Sequence, residues 1–120
     1  MAKNKVLTID GITIKPGEKK VIELPIAKLY TNTNLTIPIQ VICGKVDGPR
    51  LFISAAIHGD ELNGIEIIRR LVKTKDLKNL RGTLIVIPVV NVFGFIQHSR
   101  YLPDRRDLNR CFPGSKRGSL

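Results

Sequence analysis

At 120 residues the chain suits one small domain, and 20 Lys and Arg against 10 Asp and Glu leave it strongly basic at +10. No run approaches the roughly 18 uninterrupted apolar residues of a membrane span, and the N-terminus shows no apolar core of a secretory signal. There is no Trp, and the few aromatics do not interleave with basic residues, so the charge reads as solvated surface rather than as a nucleic-acid platform.

In chain order, residues 1–46 form a β-rich segment. Strands are expected at 6–9, 12–14, 21–24 and 35–42, where Val, Ile and Thr dominate. Asp10-Gly11, Pro16-Gly17 and the polar stretch Thr31-Asn32-Thr33-Asn34 supply the turns. The segment is expected to provide edge strands of a sheet and the approach to a site. Residues 47–120 then change character. Asp47-Gly48-Pro49 signals a turn, and residues 51–57 read as a short buried strand. Apolar residues at Leu62, Ile65, Ile68, Leu71 and Val72 have the spacing of one buried helical face, with Asp60 as the expected N-cap. A second strand is expected over 83–90. Strand, helix and strand at this separation predict a right-handed parallel crossover. No repeat or low-complexity tract marks a further domain.

In open parallel sheets, sites form beyond the carboxyl ends of the strands. His58-Gly59-Asp60-Glu61 follows one such end. Imidazole nitrogen and carboxylate oxygen are both good Zn²⁺ ligands, and a tight turn can aim both at one point. Gly59 is expected to permit that turn through its backbone freedom. Beyond the other strand end lies a proline-bearing loop, residues 99–114, with arginines at Arg100, Arg105, Arg106 and Arg110 and an amide at Asn109. Guanidinium forks pair with carboxylates through parallel hydrogen bonds, and the amide adds a neutral donor and acceptor. A metal pair and an arginine cluster at adjacent strand ends suggest one pocket, in which a metal activates water and the arginines hold an anion.

His58-Gly59-Asp60-Glu61 followed by Asp107-Leu108-Asn109-Arg110-Cys111-Phe112-Pro113-Gly114 resembles the succinylglutamate desuccinylase/aspartoacylase family of zinc carboxypeptidase-like hydrolases. The likeness spans roughly residues 45 to 120. It implies an α/β fold, the N-terminal portion of a mixed and parallel sheet with a crossover helix. It implies one zinc ion held by His58 and Glu61, and a substrate carboxylate bound by Asn109 and Arg110. An upstream arginine would polarise the scissile carbonyl: Arg100 by its place in Ser-Arg-Tyr, with Arg105 or Arg106 as the alternatives because the loop is about two residues longer than in aspartoacylases. The implied activity is zinc-dependent hydrolysis of the amide bond in a small anionic N-acyl amino acid or related amide.

The family also uses a further zinc-binding histidine and a general-base glutamate, both well beyond the Phe-Pro-Gly motif. His98 does not match that ligand position and reads as a partly buried polar residue. Glu18, Glu23 and Glu66 offer no candidate base. The chain is therefore expected to carry part of an active site and to be inactive alone, as the front portion of a longer fold, since residues 111–120 show no closing strand or helix. Completion by another subunit is the lesser alternative, and a homo-oligomer is compatible with the reading. Cys43 and Cys111, 68 positions apart, are expected as reduced thiols in a cytoplasmic protein. The alternative function is a non-catalytic module binding anions or a partner on the same half-fold.

Overall fold

The computed structural model describes residues 1–28 and 31–117. β1 (Leu7–Ile9) and β2 (Ile12–Ile14) form a small antiparallel hairpin. Asp10 and Gly11 turn it with φ of 49° and 75°, the paired positive angles that match the twist of a two-residue hairpin. β3 (Lys19–Lys28), β4 (Asn34–Cys43), β5 (Val46–Ser54) and β6 (Arg81–Ile87) build a four-stranded sheet in the order β3-β4-β6-β5. β5 and β6 are parallel and the other pairs antiparallel. Between them runs α1 (Asn63–Val72), followed by a 3₁₀ turn at Lys75–Asn79. The predicted parallel crossover and mixed α/β sheet are present.

Strand alternation divides the core between the two faces of this sheet. Ile22, Ile39, Val41 and Cys43 pack with Ile14 of the hairpin on one face. Ile42, Leu84 and Val86 pack with Ile68 of α1 on the other. Each face of β4 and β6 thus has a cover. β5 is an edge strand and is largely exposed, with Leu51 58% and Phe52 56% accessible, so residues 51–54 are not the buried strand expected. The N-terminal segment does more than line an edge. β3 is an edge strand, but β4 is interior, and Gln40 pairs with Val86 so that the start of β4 runs on past β6.

Three local expectations need correction. The turn signal at residues 47–49 lies inside β5, where the register with β6 slips between Val46 and Arg50. There the two backbones press together: a Cβ on Gly48 would sit 2.8 Å from the Arg81 carbonyl carbon, and one on Gly82 (φ 86°) would strike the Pro49 carbonyl oxygen. Glycine is required on both sides of that crossing. β5 then ends at Ser54 rather than residue 57, and β6 at Ile87 rather than residue 90. Pro88 follows β6 and has no N–H to donate to a ladder. Finally, α1 starts after Leu62, with no side-chain cap, and Leu62 itself is exposed. Asp60 belongs instead to the turn closed by the Glu61 N–H on the His58 carbonyl.

Candidate metal and anion site

The parallel strands deliver their carboxyl ends side by side. Ala55 accepts from the Val90 N–H and Ala56 from the Asn91 N–H, which zips residues 55–56 to the segment leaving β6. Ala56 takes φ of 52°, a left-handed angle uncommon for a residue with a Cβ. That reversal carries the chain off the sheet and into His58. Gly59 is needed here, but for a different reason than expected: its own φ is not positive, and a Cβ would land on the backbone of Gly94 and Phe95. The short helix α2 (Val92–Ile96) crosses directly over it. His58 is consequently buried, with a side chain only 8% exposed, while the Glu61 side chain is 61% exposed.

Both ring nitrogens of His58 are engaged. Nδ1 lies 2.9 Å from Glu61 Oε1, and Nε2 lies 2.9 Å from Asp107 Oδ1. Hydrogen bonds to Glu61 and then Asp107 raise the imidazole pKa; burial and the Arg100 charge work against them. Asp107, 16% exposed, is the centre of the second motif. Its carboxylate also accepts from the Asn109 N–H at 2.9 Å and from Arg100 Nη2 at 3.2 Å. Burial alone would raise its pKa, but the Asn109 N–H, His58 and Arg100 outweigh burial and lower it. Asp107 is thus an ionised acceptor, so each ring nitrogen of His58 faces a carboxylate, Nε2 the less exposed one of Asp107 and Nδ1 the more exposed one of Glu61.

Asn91 closes the arrangement from behind. Fully buried, it accepts from the Gly94 N–H at 2.9 Å, capping α2. Its amide donates to the Ile57 carbonyl at 3.2 Å and the Arg100 carbonyl at 3.4 Å. One side chain therefore ties together the residue before His58, the start of α2 and the arginine loop. Neither Asp107 nor Asn91 was assigned a role from sequence. Asn91 carried a readable signal, an Asn before an apolar stretch at a helix start. Asp107 opens the motif that carries the family resemblance, but its bond to His58 has no local signal, because that partner lies 49 positions away.

The four arginines separate. Arg100 reaches the His58–Asp107 pair, with its guanidinium 6.0 Å from the Tyr101 ring centroid. Arg106 binds Asp104 at 2.6 Å inside its own loop, which is closed by the Leu102 N–H on the Arg106 carbonyl. Arg105 sits exposed on that loop with φ of 67°. Asn109 and Arg110 lie exposed on a 3₁₀ turn, Leu108–Arg110, for which Asp107 is the N-cap. Cys111 Sγ donates to the Asp107 carbonyl at 3.3 Å. His98 is exposed at a φ of 53° rather than partly buried.

The donor set suits zinc in type and direction. His58 Nδ1 and Glu61 Oε1 converge, and a carboxylate holds the far ring nitrogen, as metal-bound histidines commonly require. It falls short in number, since among the described residues no group of three or more candidate ligands forms. No helix among the described residues is long and apolar enough to cross a membrane.

The mixed α/β sheet thus sets a histidine–glutamate pair and an arginine loop at the ends of its parallel strands. Residues 47–120 match the succinylglutamate desuccinylase/aspartoacylase catalytic domain, and the chain belongs to that family. It is 32% identical over 85 residues to the N-alpha-acetyl-L-2,4-diaminobutyric acid deacetylase of Halomonas elongata, covering 70% of this chain and 25% of that protein. Among solved structures, it superposes on the product-bound ectoine utilization protein EutE (DoeB) from Ruegeria pomeroyi with a TM-score of 0.73 at 29% identity. That match covers 100% of this chain and 37% of the relative. An aspartoacylase family protein from Mesorhizobium loti gives a TM-score of 0.72 at 30% identity over 99% of this chain and 37% of its own. The chain thus spans about a quarter of the curated relative and little more than a third of these structural ones.

Proposed function

We propose that this chain carries the metal-binding front of a zinc-dependent deacylase that cleaves the amide bond of a small anionic N-acyl amino acid. Its family consists of enzymes described as desuccinylases, aspartoacylases and deacetylases. The observation that carries the reading is the orientation of His58, with Nε2 committed to Asp107 and Nδ1 beside the Glu61 carboxylate. Zinc bound there would supply Lewis acidity, polarising a scissile carbonyl and bringing the pKa of a water towards about 7.

The remaining roles fall to this chain's own groups. Asp107 holds the His58 ring and its tautomer. Arg100, anchored on the same carboxylate, is suited to stabilise developing negative charge on the carbonyl oxygen. Asn109 and Arg110 are exposed on a turn that Asp107 caps, free to receive a substrate carboxylate. The Arg100 bond to Asp107 supports Arg100 over Arg105 and Arg106 for the role at the carbonyl. A third metal ligand and a general base would come from outside these residues.

The test is release of free amine from an N-acetyl amino acid by the whole protein. Loss of activity with a chelator, recovery with zinc, and no activity in His58→Ala are expected. Arg110→Ala should weaken a carboxylate-bearing substrate and spare its neutral amide analogue. Activity that survives chelation would contradict the proposal.

A further inference from the structure

The opposite end of the sheet carries a second recess that the deacylase reading does not use. The return from α1 to β6 passes over the open end of the β3–β4 pair, where β3 begins and β4 finishes, and forms a cleft of about 370 Å³. That volume lies within the range of sites for small organic ligands. Its floor is apolar, formed by Ile42, Val72 and Leu77. Its rim bears Lys19, Lys45, Lys73, Lys75 and Lys78, against a single acid, Glu18. That acid is already engaged: its carboxylate accepts the Lys15 N–H at 2.8 Å and pairs with Lys20 at 3.6 Å.

The C-terminal end of α1 meets the same cleft, and its free carbonyls would repel an anion. They are largely occupied. Lys19 Nζ donates to the Val72 carbonyl at 3.3 Å, and the Lys73 N–H and Thr74 hydroxyl both bond the Arg70 carbonyl. The residues that line the recess thus combine five lysines with a set of uncharged apolar side chains. Such a combination selects against bare inorganic anions, which gain nothing from the floor, and against neutral apolar molecules, which gain nothing from the rim.

We propose that this cleft binds an amphipathic organic anion, an apolar body ending in a carboxylate or phosphate, at the end of the sheet opposite His58. The head group would pair with the lysine rim while the body covers Ile42, Val72 and Leu77. Binding should weaken as salt rises, because exposed charges are screened beyond about 8 to 10 Å at physiological ionic strength.

The test is a methyl NMR titration of the whole protein with octanoate, octanamide and inorganic phosphate in parallel. Octanoate should shift the Ile42, Val72 and Leu77 methyls saturably, and octanamide and phosphate should each bind at least about tenfold more weakly. The double variant Lys75→Glu/Lys78→Glu places both changes on the exposed 3₁₀ turn. It should lose about tenfold in octanoate affinity, leaving octanamide unchanged and the methyl spectrum otherwise native. Equal affinity for octanamide would make the cleft a plain apolar groove and overturn the proposal. Equal affinity for phosphate would reduce it to a basic surface, with the same consequence. Octanoate shifts confined to the His58 end, or none at all, would also overturn it. The deacylase reading is untouched by any of these outcomes.

Discussion

His58 and Asp107 lie one hydrogen bond apart, yet the segments that carry them are fixed by different means. His58 follows a parallel strand, and its position is set by backbone: the bonds from Val90 and Asn91 to residues 55 and 56, the left-handed Ala56, and the crossing of α2 over Gly59. The arginine loop has no ladder and contributes no residue to either buried cluster of the sheet. It is held by polar side chains, chiefly Asp107 from the front and Asn91 from behind. A rigid half presents the His58–Glu61 pair, and a tethered half presents the cations.

If that contrast is right, damage to the rigid half should cost the fold and damage to the tethered half should cost the site. Gly59→Ala is the severest case. Its Cβ would meet backbone atoms that cannot step aside, so a loss of about 3 kcal/mol or more in denaturant unfolding is expected. Near-native stability would mean that α2 is free to lift, and the rigid half would not be rigid. Asn91→Ala bridges the two halves, stranding the Gly94 N–H and two carbonyls. A loss of about 2 kcal/mol is expected, with faster amide exchange across residues 99–110.

Asp107→Ala sharpens the comparison from the other side. Zinc affinity, measured by competition with a chromophoric chelator, should fall roughly ten- to a hundredfold, because the ring loses the partner that orients it. The unfolding midpoint should move far less than in Gly59→Ala. Smaller still is Arg105→Ala, a change on the exposed part of the loop. It should leave stability within about 0.5 kcal/mol and leave amine release unaltered, whereas Arg100→Ala should depress turnover.

The rigid half also has a pH signature. The carboxylate of Glu66 on α1 is held down to about 2 by hydrogen bonds from Arg69 and then Arg70. A folded-state value below the unfolded one means that its stabilisation is present above about 4.5. It is lost as pH falls from there through about 2. An NMR titration should find the Glu66 midpoint in that low range, and Glu66→Gln should remove this part of the acid dependence. A midpoint near 4.5 would show that the helix-surface ion pairs do not form.

Much of the rigid half was legible because it rests on patterns that sequence displays. Apolar runs at 51–57 and 83–90, joined by residues with helical spacing, specified a parallel crossover, and the crossover located His58 and Glu61 at a strand end. Where local rules were read alone they misled. Asp60 is a good N-cap type, but closing the His58–Glu61 turn takes precedence. Gly48 and Pro49 look like a turn, but lie within a slipped strand because Gly82 lets the neighbouring backbone approach. The tethered half was legible as composition only. Four arginines in one loop suggested anion binding, but which of them faces the metal pair depends on Asp107 closing a contact 49 positions away. No periodicity encodes that closure.

The central claim is that Asp107 fixes the His58 ring so that Nδ1, beside Glu61, is the metal-binding nitrogen. Long-range ¹H–¹⁵N correlation of the His58 ring during a zinc titration tests it most directly. The account predicts a proton on Nε2 throughout and a zinc-dependent change at Nδ1, lost in Glu61→Ala. A ring that carries its proton on Nδ1 and answers zinc at Nε2, or does not answer at all, would contradict it.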